Sequence, residues 1–281
     1  MKKRLLFVAA IFTATATFAQ EGLTSKKGEA YLPEAGDWAL GFDGTPFVNY
    51  IGNLANGSTG NSIGFTNGGA IYGKMFKDEK TAYRAMFQLG FANNTVGNVV
   101  NLKSNPSDVD TKEFTNETKT SSNDIKLGFG IEKRRGNTRI QGVYGAMFTF
   151  GIGGQKTTNT YGLAYSDSTV LANMGNPDFP NGRITEQKAG SRMTLGVQGF
   201  IGFEWFFAPK FSLGAEYRWG IEMNNVGESE TTTESWGVAP GAAAGTPNSL
   251  QTKTSKGGKA SAFNFGPANA GNAVLLVNFH F

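Results

Sequence analysis

The stretch Met193–Trp205, MTLGVQGFIGFEW, has two different faces when it is read as an extended chain. Alternate positions carry Met, Leu, Val, Gly, Ile, Phe and Trp, and the positions between them carry Thr, Gly, Gln, Phe, Gly and Glu. A period of two is typical of a β-strand whose two faces meet different surroundings. The stretch therefore predicts a strand with one uncharged, bulky face and one face of small residues and a charge.

The same period recurs in eight runs along the chain. They cover about 37–50, 68–76, 81–92, 124–134, 139–153, 191–206, 211–222 and 263–281. Three connections are short, KDEK (77–80), RGNT (135–138) and FAPK (207–210), and they alternate with four long polar ones, about 51–67, 93–123, 154–190 and 223–262. Transmembrane barrels have this pattern, with short periplasmic turns and long extracellular loops. A soluble lipocalin-like barrel or a Greek-key sandwich has no reason for such strict alternation.

Size decides which face of the strands points outward. In four of the runs, 22 alternate positions include no charged residue and many aromatic ones, while the opposite face carries Lys126, Glu132, Glu204, Glu216, Arg218 and Glu222 among glycines. The interior of an eight-stranded barrel is only wide enough for side chains to fill it, so the bulky face must point outward. Such a surface is an aggregation hazard in water and a requirement in lipid. We therefore predict an all-β fold, an eight-stranded antiparallel up-and-down transmembrane β-barrel over residues 37–281.

Aromatic residues gather near the ends of the runs, as in the interfacial belts of membrane barrels. Towards the short turns we place Trp38, Phe76, Trp205, Phe206, Phe207 and Phe211, and towards the long loops Tyr50, Phe91, Phe150, Tyr217 and Trp219.

The first twenty residues, MKKRLLFVAAIFTATATFAQ, have the organisation of a secretory signal: three bases, a short apolar run and small residues. We predict a signal peptide over 1–19, cleaved between Ala19 and Gln20, and a short periplasmic lead over 20–36. An uncleaved amphipathic helix is the alternative. The signal holds three of the 26 bases and none of the 22 acids, so the mature chain is close to neutral and a nucleic-acid partner is not expected.

The chain ends AVLLVNFHF, in which Leu275, Val277, Phe279 and Phe281 alternate up to the last residue. This ending resembles the C-terminal signal that the β-barrel assembly machinery recognises in outer-membrane proteins. With its eight runs, the chain resembles the small outer-membrane barrels of the OmpA transmembrane domain, OmpX and OmpW group, and the Ala-Gln signal ending resembles those of Bacteroidota. The resemblance implies a Gram-negative cell outer membrane and contact with its lipid and lipopolysaccharide. It does not extend to the peptidoglycan-binding domain of OmpA-like proteins.

Five charged residues are phased towards the interior of the predicted barrel: Arg84, Glu132, Glu204, Glu216 and Arg218. Isolated charges in so narrow a space would be costly, whereas paired ones are tolerated. We therefore expect the two arginines to pair with the glutamates and to close the interior to ions.

Other chemistry has little support in the sequence, and we expect no enzyme, no cofactor and no metal. Cysteine is absent, which excludes thiolate chemistry and a lipid-modified cysteine anchor. The single histidine, His280, is phased inward with no evident nucleophile beside it. Asp108, Asp110 and Glu113 could form a calcium site, but a solvated acidic loop explains them as well. The triplet DST at 167–169 resembles an O-glycosylation acceptor.

Two functions remain open. The first is a structural or surface-interaction role, in which long loops on a rigid barrel contact a protein partner. The second is a narrow porin or conduit for small solutes, apolar ones included, which inward-facing Phe200, Met147, Val274 and Leu276 would suit.

Overall fold

The structure is a computed structural model that describes residues 23–44, 50, 53, 56–57, 70–103, 111–165, 182–266 and 274–281. Of residues 101–103 and 111–112 it describes the backbone alone. The predicted signal peptide, with Ala19 and Gln20, lies outside the described residues, as does most of the connection 51–67. Within the described ranges, no helix is long and apolar enough to cross a membrane.

The described ranges contain twelve β-strands. They are β1 (Trp38–Asp43), β2 (Ala70–Asp78), β3 (Thr81–Lys103), β4 (Thr111–Arg135), β5 (Ile140–Thr160), β6 (Arg183–Lys188), β7 (Arg192–Ala208), β8 (Phe211–Val226), β9 (Glu230–Gly237), β10 (Ser249–Lys256), β11 (Ala260–Gly266) and β12 (Val274–His280).

Eight of these strands form a closed ring in the order β1–β2–β3–β4–β5–β7–β8–β12, and every pair is antiparallel. The ring closes between the first and last strands, where Leu40 lies opposite Phe279. Just beyond this pair, Trp38 and Phe281 exchange two backbone hydrogen bonds of 2.9 Å. The predicted all-β class and the eight antiparallel ring strands are confirmed.

The predicted long loops are wrong in much of their length, because they contain strands. β3 and β4 continue far beyond the ring as one hairpin, with Thr95 opposite Lys119. β6, β9 and β10 extend the sheet from β5, and β11 pairs with the C-terminal part of β8. Apart from the phenylalanines of β11 and a few valines of β3, these segments are mostly polar, so they lack the regular apolar alternation by which a strand is identified. Threonine nevertheless favours strands, and backbone pairing needs no apolar face.

The eighth predicted run is two strands rather than one. β11 pairs with β8 at Gly220–Val226 and β12 pairs with it at Phe211–Glu216. Within the described residues, breaks separate β6 from β7 at 189–191, β8 from β9 at 227–229, and β10 from β11 at 257–259. They divide the sheet into the ring and an upper sheet. The upper sheet consists of β6, β9 and β10 together with the parts of β3, β4 and β5 that extend beyond the ring.

Side chains alternate between the outside of the ring and its interior, which we call the lumen. Phe203 and Tyr217 are exposed, whereas Glu204 and Glu216 beside them are buried. Lumen glycines stand where neighbouring strands approach closely: at Gly130, Gly145, Gly202 and Gly220 an added Cβ would collide with a backbone oxygen of the next strand. Glycine at these positions lets the lumen accommodate a few large side chains.

We expect Gly145→Ala to lower the free energy of unfolding by about 1–3 kcal/mol, the usual cost of overpacking. Its Cβ would collide with the carbonyl oxygen of Ile131 and come within 2.6 Å of Phe200 Cζ. Gly142→Ala on the same strand is the matched control, because its Cβ would meet nothing closer than the Arg135 oxygen at 3.6 Å. Denaturant unfolding of both variants under one set of conditions measures the difference; equal losses would contradict the close approach.

Candidate functional site

The buried charges of the ring meet inside the lumen. Lys74 on β2 reaches Glu204 on β7, and Arg84 on β3 reaches Glu216 on β8, although neither pair of strands is adjacent. Side chains from opposite walls can meet only in the interior. The five charged residues predicted for the interior are all buried there.

The network nearest the short turns joins one lysine and one arginine to two glutamates. Lys74 Nζ lies 3.1 Å from Glu132 Oε2 and 3.1 Å from Glu204 Oε2. Arg134 bonds the same pair, with Nη2 2.6 Å from Glu204 and Nη1 3.3 Å from Glu132. Arg134 Nε also donates to Gln141 at 2.8 Å. Each carboxylate therefore has at least two cationic partners, which offsets the cost of burying it.

The second network lies next to the first and is centred on Glu216. Arg84 donates two hydrogen bonds to Glu216, at 2.8 and 3.2 Å, and its Nη1 is 3.2 Å from Glu132 Oε2. Arg218 donates to Glu216 at 2.9 Å and to the Tyr72 hydroxyl at 2.6 Å. Because Arg84 contacts a carboxylate of each network, it joins them into one cluster across the lumen.

Aromatic rings fill the space around these guanidinium groups. Arg84 lies 4.3 Å from the centroid of Phe200, and Arg134 lies 5.1 and 5.3 Å from Phe76 and Phe206. Cation–π contacts of this kind are strongest where water is excluded. Phe76 and Phe206 are almost fully buried. Their prediction as members of an interfacial belt is therefore wrong, because the even-numbered phase of their strands points them inward.

An apolar layer and a polar mouth complete the lumen. Met86, Met147 and Leu276 pack with Tyr72, and Val274 packs against them. Above this layer Lys126 bonds Glu222 at 3.2 Å, and at the mouth Arg192 pairs with Asp124 across Gly153. A cavity of about 500 Å³ opens at this mouth.

The N-terminal segment covers the other end of the ring. Tyr31 lies under Arg139, with the guanidinium 3.7 Å from the ring centroid, and Pro33 is buried. Leu32, Pro33 and Glu34 border a cavity of about 460 Å³ beside the short turns. The lumen is therefore enclosed by side chains along its length and by this segment at one end.

Sequence reasoning missed Lys74, Arg134 and Tyr72. Arg134 shares the phase of Glu132 two residues earlier, which would have been enough to find it. Lys74 and Tyr72 lie in a run, GGAIYGKMF (68–76), that can be phased either way. The pairing of Lys74 with Arg84 across β2 and β3 fixes the phase.

His280 has a hydroxyl partner that the sequence did not indicate. Its Nε2 is 2.9 Å from Ser212 Oγ and 3.6 Å from Glu204 Oε1, and Ser212 donates to Glu204 at 2.5 Å. In a catalytic triad the acid contacts the other ring nitrogen, which orients the imidazole. Here the glutamate lies on the same side as the serine, and Ser212 is fully buried. The arrangement supports packing rather than nucleophilic attack.

The remaining predicted features are dispersed. Asp108, Asp110 and the triplet 167–169 lie outside the described residues, and Glu113 is exposed on β4. Within the described part, no group of three His, Asp or Glu side chains could hold a metal ion. Leu275, Val277, Phe279 and Phe281 all lie on the outer face at the closure of the ring, and the Phe279 and Phe281 rings are 5.9 Å apart.

We expect Arg84→Ala to destabilise the protein more than Arg218→Ala. Loss of Arg84 takes a cation from two buried carboxylates, Glu216 and Glu132, each of which keeps another cation, so we place the loss near the lower end of the range of about 3–5 kcal/mol that breaking a buried ion pair costs. Without Arg218, Glu216 keeps Arg84, so the expected loss is about 1–3 kcal/mol.

Denaturant unfolding of the two variants measures this order, with Lys126→Gln at the half-buried upper pair as a control expected to cost less than either. A larger loss for Arg218→Ala than for Arg84→Ala would contradict the central position of Arg84.

Comparison of the chain with models of protein families, with curated proteins and with solved structures finds no match. The functional argument therefore depends on the geometry of the ring and its lumen.

Proposed function

We propose that this protein is an outer-membrane β-barrel with a structural or surface-interaction role. The observation that carries the proposal is the inverted distribution of polarity on a closed ring: bulky apolar side chains outside and a paired charge cluster inside. A soluble protein of this size would bury its large apolar side chains. A membrane barrel exposes them to lipid and keeps its polar groups in the interior.

The apolar surface has the extent that a bilayer requires. Exposed outer-face side chains on β7 run from Met193 to Phe203, and on β8 from Phe211 to Met223. A tilted strand needs about 9–11 residues to cross the hydrocarbon core. Trp38, Phe211 and Phe281 border this surface near the short turns, and Trp219 and Phe265 border it near the upper sheet. These are the positions of interfacial aromatic belts.

The lumen supports a structural role over transport. Passage of an ion would require the bonds among Lys74, Glu204 and Arg134 to break in a space that the aromatic rings already fill. Paired buried charges resist such opening, because a separated partner is left uncompensated. The upper sheet then becomes the functional surface, presented above the membrane to a protein partner and to lipopolysaccharide.

Conductance and extraction together test the proposal. We expect the unboiled protein to migrate differently from the boiled one on a denaturing gel, to require detergent for solubility, and to give no steady current in planar bilayers. Solubility of the folded protein without detergent would overturn the membrane assignment. A steady current in the unmodified protein would overturn the closed lumen and favour the narrow conduit.

The terminal phenylalanine provides a separate test of outer-membrane assembly. Phe281→Ala keeps the backbone bonds with Trp38 and removes a ring that is 59% exposed, so we expect less than about 1 kcal/mol of lost stability. We expect a several-fold fall in the amount of protein in the outer membrane, because the residue belongs to the predicted assembly signal. Phe263→Ala, on a similarly exposed ring of β11, is the control. Equal falls in both variants would indicate lost packing instead.

A further inference from the structure

A groove lies on the outer face of the sheet, where the ring meets the upper sheet. Its volume is about 820 Å³, and it forms where the break at 189–191 separates β6 from β7. Ile125, Ile152 and Met193 stand side by side in one cross-strand row on its floor. Phe91, which is 71% exposed, also lines it. The floor is therefore continuous with the apolar outer surface of the ring.

Glycine keeps this groove open. β5 pairs with β7 as far as Gly153 and with β6 from Lys156 onward, which leaves Gly154 opposite the break. A Cβ added at Gly154 would meet only Asn123 Oδ1, at 3.3 Å. Among the described residues nothing else comes within 4 Å of that Cβ, so a side chain at this position would project into the groove after a shift of Asn123 by a few tenths of an ångström.

Two lysines form the upper rim of the groove. Lys156 lies directly opposite Lys188 in the β5–β6 register, and like charges so placed repel each other. Glu186 bonds Lys156 at 2.8 Å but does not line the groove, and Glu230 lies opposite Lys188 on the β9 side. Both lysines line the groove itself. An anion placed between the two ammonium groups would relieve their repulsion.

The spacing of these features matches a lipid. Lys156 is four residues above Ile152, about 13 Å along the strand, so the lysines stand one headgroup length above the apolar floor. Basic residues at this level attract anionic headgroups, and apolar grooves take acyl chains.

We propose that this groove binds one phosphorylated lipid of the outer leaflet, with its phosphate between Lys156 and Lys188 and an acyl chain along Ile125, Ile152 and Met193. The inference rests on the proposed function, which places this face in the membrane.

Native mass spectrometry of the protein in phosphatidylcholine nanodiscs with added phosphatidylglycerol tests the site. We expect one phosphatidylglycerol to be retained per chain. Each lysine near a membrane surface contributes about fivefold to anion affinity, so K156Q/K188Q should weaken retention roughly thirtyfold. K253Q/K259Q removes the same charge from exposed lysines that do not line the groove and should leave retention unchanged.

A second variant separates the groove from its charge. Gly154→Leu leaves both lysines in place and fills the groove, so it should also abolish retention, whereas Gly142→Leu on the outer face of the same strand should not. Millimolar inorganic phosphate should not displace the lipid, because free phosphate lacks the acyl contact.

Equal retention in K156Q/K188Q and the parent, or displacement by phosphate alone, would overturn the lipid site. Failure of the parent to insert into nanodiscs would instead overturn the proposed function, and insertion without preference for phosphatidylglycerol would overturn the lipid site alone.

Discussion

The narrow interior of an eight-stranded ring is the constraint on which the rest of the structure depends. Such a ring has room inside for only a limited volume of side chain. The chain satisfies this limit by placing glycines such as Gly130 and Gly202 on the inner face, where strands approach too closely for a Cβ. Most large aromatic residues are consequently outside. Those that point inward, Tyr72, Phe76, Phe200 and Phe206, lie against guanidinium groups.

The same constraint explains why the interior charges form one connected cluster. A charge that points into a water-poor space must find a partner, and in so narrow a ring a side chain on the opposite wall is as reachable as one on the same strand. Lys74 thus meets Glu204, and Arg218 meets Tyr72, over sequence separations of 130 and 146 residues. These bonds brace walls that are not hydrogen-bonded to each other. The cluster contains four cations and three carboxylates, and each carboxylate has at least two cationic partners.

The breaks at 189–191, 227–229 and 257–259 separate two environments within one sheet. Below them, strands alternate between an apolar outer face and a polar inner one. Above them, most side chains are polar and most charges are exposed, although Arg183 is buried and paired with Glu234. Gly190 and Gly227 face each other at this level so closely that a Cβ on Gly190 would collide with the Gly227 backbone. The proposed membrane boundary and the proposed lipid groove both fall at this level, because the sheet changes character there.

The sequence by itself determined the ring strands, their short turns and the inward phase of Glu132, Glu204, Glu216 and Arg218. It could do so because strand alternation assigns every second residue to one face, whatever its partner. The register between strands decided the rest, and register depends on contacts between distant segments. Only the tertiary structure joined Arg84 to both networks, placed Ser212 beside His280, and added Lys74 from a run of ambiguous phase. It also formed the upper strands, since backbone pairing in solvent leaves no apolar pattern in the sequence.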